Sequence, residues 1–310
     1  MTLNPLRIDD FRHRLKWHDI EASHRLIDLI TTCCVEEDLG KSIKEPWRSD
    51  ITSSVCNLSD RGNAELTARE HMVICGTHIP KLILEAFGCK DVSYSACKKD
   101  GDICSNGDKI GIIKGAVAQI LAAERTILNF MQRLSGVATK SSDFVKVLTP
   151  QKVELLDTRK TTPGLRIFEK YATGVGGSYN HRMGLHDRIL IKDNHLASAD
   201  IKNNDSLTSF LLEVRQRSKG ILIEVEIDSL SQLLPAIEGQ VDAILLDNFS
   251  PEDVAQAVNL NQDRVILEAS GGINENNLGS YSKAKPHFIS TGAPVHQARW
   301  VDIGLDWVDY

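Results

Sequence analysis

Between Asp157 and His195 the sequence reads DTRKTTPGLRIFEKYATGVGGSYNHRMGLHDRILIKDNH, and it gathers Arg159, Lys160, Arg166, Lys170, His181, Arg182, Arg188 and Lys192 around a glycine-rich turn. The chain as a whole carries a formal net charge of −6, so this excess of cations is local. Arginine offers a bidentate fork to a carboxylate or phosphate, and lysine a point charge. Arg159 and Lys160 follow an apolar run. A loop there would let both converge on one anion; a solvated basic loop is the plainer alternative. His181 and Arg182 stand beside the GVGGSYN turn, whose backbone N–H groups could cradle an oxyanion. His181 could equally be a structural hydrogen bonder. Lys192 interrupts the apolar run ILIKD, where a lysine is costly unless it meets an anion or a carboxylate. Pairing with Glu226 or Asp247 and binding substrate are compatible roles for it.

The acidic residues are placed to complement these cations. Glu224 and Glu226 are two apart and share one face of an extended run, with Glu226 nearer its C-terminal end and expected to face the pocket. Asp247 ends the next run. Two carboxylates on adjacent strand ends can hold Mg²⁺ that bridges substrate phosphates, or act as an acid/base pair as in a glycosidase. The surrounding cations favour the phosphorylated substrate. SGGI (270–273) and STGAP (290–294) bring Ser270, Gly271, Gly272 and Gly292 to late loops that could bind phosphate, aided by a helix starting near Asn274. Ordinary turns are the alternative. His181, His186 and His195 are poorly spaced for zinc. The residues thus describe a pocket for a small molecule with several anionic groups, opposite a carboxylate pair suited to Mg²⁺.

Such residues need a scaffold that brings strand ends together. Apolar runs recur at 153–157, 188–193, 221–228, 242–248, 264–272 and 287–292, mostly separated by helix-compatible segments. Near-continuous apolar runs alternating with helices predict parallel strands buried on both faces. The order fits an incomplete (β/α) barrel, with a doubly wound sheet as alternative. Each run ends in polar residues, the position of active sites in parallel barrels. Upstream, 24–40 reads as an amphipathic helix ending at Gly40, 41–50 as a loop, 61–76 as strands, and 79–88 as a short helix. A long helix from about 116 is expected to break at Gly136. The N-terminus is too charged for a secretory signal and is expected to be helical from about Asp9. No apolar run is long enough to span a membrane. The acidic balance argues against a nucleic-acid partner. The seven cysteines contain no CxxC pair, which predicts reduced thiols in the cytoplasm.

The motifs EEDLG…DITS, ERTILNFMQRLSGVAT, DTRKTTPGLRIFEKYA, GGSYNHRMGLHDRILIKDNH, IEVEIDSL, ILLDNFSPE and LEASGGI, in this order from about Glu36 to Trp307, resemble the quinolinate phosphoribosyltransferase family. The resemblance implies an α/β sandwich domain over residues 1–129 and an incomplete α/β barrel over 130–310, whose C-terminal tail packs back on the first domain. It implies a homodimer, or a larger assembly of dimers, with sites built across the interface. The implied reaction joins quinolinate to phosphoribosyl pyrophosphate with Mg²⁺, giving nicotinate mononucleotide, pyrophosphate and CO₂ in NAD biosynthesis. By motif position, Arg159, His181, Arg182 and Lys192 meet the quinolinate carboxylates, and Lys160 lines the site. Arg125 reaches in from the neighbouring subunit. Glu226 and Asp247 serve the ribose and metal, and Ser270, Gly271, Gly272 and Gly292 the phosphates. Lys160, Lys192, Glu226 and Asp247 are the implied catalytic set. Three departures stand out: Ser178 for a glycine and Gly174 for an arginine; GAPVHQ for GxLTHS, which removes two hydroxyls; and KSIKEPWRS as an insertion. A related molybdenum-transport-associated branch shares part of the pattern, but intact LIKDNH and ERTILNF favour the quinolinate branch. A binding-only protein is disfavoured by Glu226, Asp247 and Lys192, and a glycosidase by the guanidinium cluster.

Overall fold

The computed structural model describes residues 7–40, 44–56, 58, 60–201 and 203–309. Part of the expected loop and insertion at 41–43, and the first six residues, lie outside them. The chain forms two compact units. One comprises the chain up to Arg14, Asp143–Thr161 and Gly177–His296; the other comprises Leu15–Ser142, Thr162–Gly176 and the chain from Gln297 on.

The second unit is built on antiparallel sheet. Its strands are Arg61–Ala68 (β1), Met72–Val73 (β2), Val92–Ala96 (β3), Ile103–Cys104 (β4) and Lys109–Ala116 (β5). Along β1, Ala64, Leu66 and Ala68 are buried while their neighbours are partly exposed, the alternation of a sheet with one covered face. A helix over Val117–Leu148 follows β5 and belongs to this unit up to Ser142. It runs through Gly136 without a break, contrary to the propensity-based expectation. A Cβ there would lie 2.0 Å from the carbonyl oxygen of Arg299, so the glycine serves a close backbone approach. The helices His24–Leu39 and Ile79–Ala86 lie where the periodicity places them. The N-terminal segment differs: Ile8–Phe11 is a 3₁₀ turn, and α-helix begins at Trp17.

The first unit holds six parallel strands: Glu154–Leu156 (β6), Ile189–Ile191 (β7), Ile223–Ile227 (β8), Ala243–Asp247 (β9), Ile266–Ser270 (β10) and Phe288–Ser290 (β11). Their order, β6-β11-β10-β9-β8-β7, joins first to last and leaves the ladder open between β6 and β7. This is an incomplete barrel, not a doubly wound sheet. Tyr179 makes a parallel bridge to Leu156 on that open side. All of β8 is buried, Glu224 and Glu226 included. Helices such as Asn204–Arg217 and Pro251–Asn261 cover the outside, packing Leu207, Leu211, Val254 and Ala257 against the sheet. Inside, Phe11, Leu156, Ala243, Ile266 and Phe288 form a second cluster. The last strand of the chain, Ile303–Asp309 (β12), belongs to the other unit and pairs antiparallel with β1.

Candidate active site

The parallel strands end together, and their ends carry the polar residues. Asp157 and Lys192 directly follow β6 and β7; Glu226 lies one residue from the end of β8; Asp247, Ser270 and Ser290 close β9, β10 and β11. Lys192 caps the helix Asp193–Ser198, and its backbone N–H donates to His195 Nδ1 at 3.0 Å. Its ammonium is hydrogen-bonded to the Glu226 carboxylate on the neighbouring strand.

Asp157 holds the glycine-rich turn in register. Its two oxygens accept from the backbone N–H of His181 and from Asn180 Nδ2, each at 2.8 Å. His181 Nδ1 accepts the backbone N–H of Arg182 at 2.7 Å, which places the ring proton on Nε2. Nε2 lies 3.4 Å from Glu224 Oε2 and 3.5 Å from Glu268 Oε1. Glu224 and Glu268 are fully buried and face the interior, and Arg188 Nε lies 3.6 Å from Glu224. Burial opposes the charge on Glu224, but Arg188 and then His181 outweigh it and hold the pKa at about 2. Burial, together with the charge of Glu224, raises Glu268, so Glu268 takes up a proton first as pH falls. Burial also opposes a charged His181, yet Glu268 and Glu224 raise its pKa above the ordinary value. A second proton on the ring would go to Nδ1 and displace the Arg182 N–H, so the neutral Nε2–H form is the one that holds Arg182. Glu224 and Glu226 share one face, but Glu226 meets Lys192 while Glu224 is enclosed with His181 and Arg188.

Arg182 is buried, and its pKa is lowered by desolvation and by the like charge of Arg159. The Arg159 Nε is buried without a hydrogen-bond partner. Among the described residues no ion pair involves either guanidinium. The two like charges oppose each other, an arrangement that an anion placed beside them would relieve. Lys160 is exposed, and its stem packs against Gly292: a Cβ on that glycine would lie 3.0 Å from Lys160 Cβ and 2.9 Å from the His296 ring.

The late loops are shaped by backbone demands. Gly271 has φ +96°, and a Cβ there would lie 2.3 Å from Asn248 Oδ1. Gly272 has φ +61° and open space around it. Asn248, itself left-handed, donates its backbone N–H to Ser270 and its side chain to Asp247. The Ser270 and Ser290 hydroxyls are 3.0 Å apart. The helix expected near Asn274 begins only at Leu278, after a turn. Ser178, in place of a glycine, is fully buried, and its hydroxyl donates to the carbonyls of Leu155 and Tyr179. No left-handed backbone is needed there, which explains why a serine fits. Arg125 is exposed and lies on the 117–148 helix of the other unit.

Asp157 and Glu268 are among the polar residues that end the apolar runs in the sequence, but their partners, and the inward course of Arg188, are not legible from that position. Glu268 had a signal of the same kind as Glu224, a carboxylate inside an apolar strand two residues before a polar strand end. Among the described residues, His181, Glu224 and Glu268 form the group whose ligand atoms come within 4.8 Å of one another. Arg188 already supplies the positive charge beside them.

A parallel barrel with cations and carboxylates at its strand ends defines an enzyme acting on small anionic substrates. Family models specify which. Residues 50–135 match the N-terminal domain of quinolinate phosphoribosyl transferase and residues 137–306 its C-terminal domain. The chain belongs to this family. A probable carboxylating nicotinate-nucleotide pyrophosphorylase from Bacillus subtilis is 38% identical over 273 residues, 87% of this chain and 89% of the relative. The Mycobacterium leprae enzyme of that name is 38% identical over 245 residues, 78% of this chain and 84% of its own. The solved nicotinate-nucleotide pyrophosphorylase of Francisella tularensis superposes with a TM-score of 0.82 at 34% identity, covering 92% of this chain and 96% of that one.

Proposed function

We infer that the strand-end residues of the barrel carry out the family's reaction in NAD biosynthesis: phosphoribosyl transfer from phosphoribosyl pyrophosphate to quinolinate, with decarboxylation to nicotinate mononucleotide. The observation that supports this most directly is the pair Arg159–Arg182, two guanidiniums that repel each other and enter no ion pair among the described residues, which suits a dicarboxylate. In this reading Arg159, Arg182 and His181 bind quinolinate, with Lys192 beside them. Loss of pyrophosphate from the ribose C1 develops oxocarbenium-like charge, which Glu226 and Asp247 stabilise, while Lys160 and Lys192 offset charge on the leaving group. Once ribosylated, the positive ring nitrogen stabilises the electron pair left on C2 as CO₂ departs, and a proton from solvent then bonds to C2, so no separate base is needed. Ser270, Gly271, Gly272 and Gly292 receive phosphate.

Mg²⁺ belongs to this proposal. Glu226 is engaged by Lys192, and Asp247 accepts from Asn248, so these oxygens form no closed cage. That fits an ion which keeps waters and is carried largely by substrate phosphates. Bound there by Asp247 and Glu226, it would supply charge neutralisation to pyrophosphate.

Exposed Arg125 is assigned to the site of a second subunit, making the functional form a homodimer or an assembly of dimers. No helix among the described residues is long and apolar enough to cross a membrane, and all seven cysteines are free. The free thiols fit a cytoplasmic enzyme. The test is product formation from phosphoribosyl pyrophosphate and Mg²⁺ with quinolinate, using nicotinate as control. Nicotinate mononucleotide and equimolar CO₂ are expected from quinolinate only; no product from either would overturn the reading.

A further inference from the structure

The turn that carries His181 and Arg182 is gripped from behind by the N-terminal segment, which lies before the residues matched by either family model. The His13 carbonyl accepts the backbone N–H of Asn180 at 2.8 Å. Arg14 donates to the carbonyls of Ser178 and Gly177 at 2.9 and 2.6 Å, and its guanidinium lies 4.0 Å from the Tyr179 ring centroid. Phe11, 1% exposed, stacks on Phe288 and faces the Arg188 guanidinium at 4.3 Å. Arg188 in turn stands against Glu224, which with Glu268 faces His181 Nε2.

The opposite nitrogen of that ring accepts the Arg182 backbone N–H. Rotating the imidazole would therefore release Arg182 on one side and strand the buried carboxylates on the other. Arg188 Nε and Nη2 are themselves buried without hydrogen-bond partners. Their environment is the Phe11 ring and the carboxylate, a cation–π contact and an ion pair on one guanidinium.

We propose that the N-terminal segment is a positioning clamp: Phe11 seats Arg188 against Glu224 to fix His181, while Arg14 ties down the turn, so that together they set Arg182 for quinolinate. Arg188 and Arg14 are positioning residues, distinct from the groups that touch substrate. The inference rests on assigning Arg182 to quinolinate, so the experiment separates the two.

The test compares full-length Arg188→Met, Arg188→Lys, Arg14→Met and Arg182→Ala in steady-state kinetics with each substrate varied in turn. A clamp predicts that both methionine variants raise the KM for quinolinate about tenfold or more, with the KM for phosphoribosyl pyrophosphate held within about twofold. Arg188→Lys should recover part of the loss. A merely structural role would reduce the active fraction, lowering kcat with both KM values unchanged, and that outcome overturns the clamp. If Arg182→Ala moves the quinolinate KM and the two methionine variants do not, the clamp alone fails. If Arg182→Ala also leaves it unmoved, the site assignment fails. Should Arg188→Met not fold, nitrogen-15 NMR of the native imidazoles decides. Assigned by the signal lost in His181→Gln and read at a pH where the ring is neutral, His181 must carry its proton on Nε2 with Nδ1 bare, and a neutral ring with its proton on Nδ1 overturns the proposal.

Discussion

The ammonium of Lys192, at the end of β7, is hydrogen-bonded to the carboxylate of Glu226 on the adjacent strand β8. The Lys192 side chain is 42% exposed and that of Glu226 10%, so the pair sits at the mouth of the barrel. In the proposed reaction it would hold opposite charges where a cationic ribose and an anionic leaving group separate. Lys192→Ala is expected to lower kcat by about 10²–10³, the usual cost of removing one preorganised electrostatic partner. Thermal stability should change little, because the lysine is partly solvated. Steady-state rates beside a melting curve check this; full activity would remove Lys192 from the chemistry.

The two buried glutamates should respond oppositely to amidation. Burial and the charge of Glu224 disfavour the ionised form of Glu268, so an uncharged glutamine is better tolerated there, and Glu268→Gln should cost about 1 kcal/mol or less. Glu224→Gln leaves Arg188 buried without its carboxylate and should cost about 3–5 kcal/mol. Urea unfolding of both variants makes the comparison; equal costs would contradict the assignment of charge.

Adjacent glycines in the SGG loop should also differ. Gly271→Ala places a methyl 2.3 Å from Asn248 Oδ1, forcing the Asp247–Asn248 turn to move, and should raise the KM for phosphoribosyl pyrophosphate. Gly272→Ala meets open space and carries only the left-handed backbone cost of about 1–2 kcal/mol. Kinetics and melting temperatures of the two variants separate a shape effect from a backbone effect.

Gly136 reverses a familiar expectation. An alanine in mid-helix gains about 1 kcal/mol of propensity over glycine. Here its methyl would stand 2.0 Å from the Arg299 carbonyl, so Gly136→Ala should destabilise the fold by more than that gain. A raised melting temperature would contradict the close approach.

Stability should fall at alkaline pH. Burial pushes the thiol of Cys34 up to about 11 and that of Cys89 up to about 12. The folded chain therefore holds these protons more tightly than the unfolded chain. Their contribution is complete below the unfolded thiol pKa and is lost as pH rises from there through the folded values. The urea midpoint should drop between about pH 8 and pH 11, and Cys89→Ala should flatten that slope.

Much of the barrel is legible in the sequence because its strands are short apolar runs capped by polar residues, a pattern that topology turns into a ring of functional groups. Lys192 and Glu226 belong to that legible part, since an unpaired lysine in ILIKD would be untenable. Gly136 illustrates what is hidden. Its helix propensity is local, while the reason for the glycine is a backbone carbonyl more than 150 residues away. Arg188 is hidden for a similar reason. In sequence it is one more cation of the cluster, and only packing against Phe11 and Glu224 turns it inward. Ser178 departs from the family pattern without consequence for the turn, because its hydroxyl finds two backbone carbonyls.

The most direct test of the account is calorimetric binding of quinolinate to the wild-type protein and to Arg182→Ala. If the Arg159–Arg182 pair is the dicarboxylate receptor, the variant loses about 2–5 kcal/mol of quinolinate affinity while phosphoribosyl pyrophosphate binds as before. Unchanged quinolinate affinity in a folded Arg182→Ala protein would contradict it.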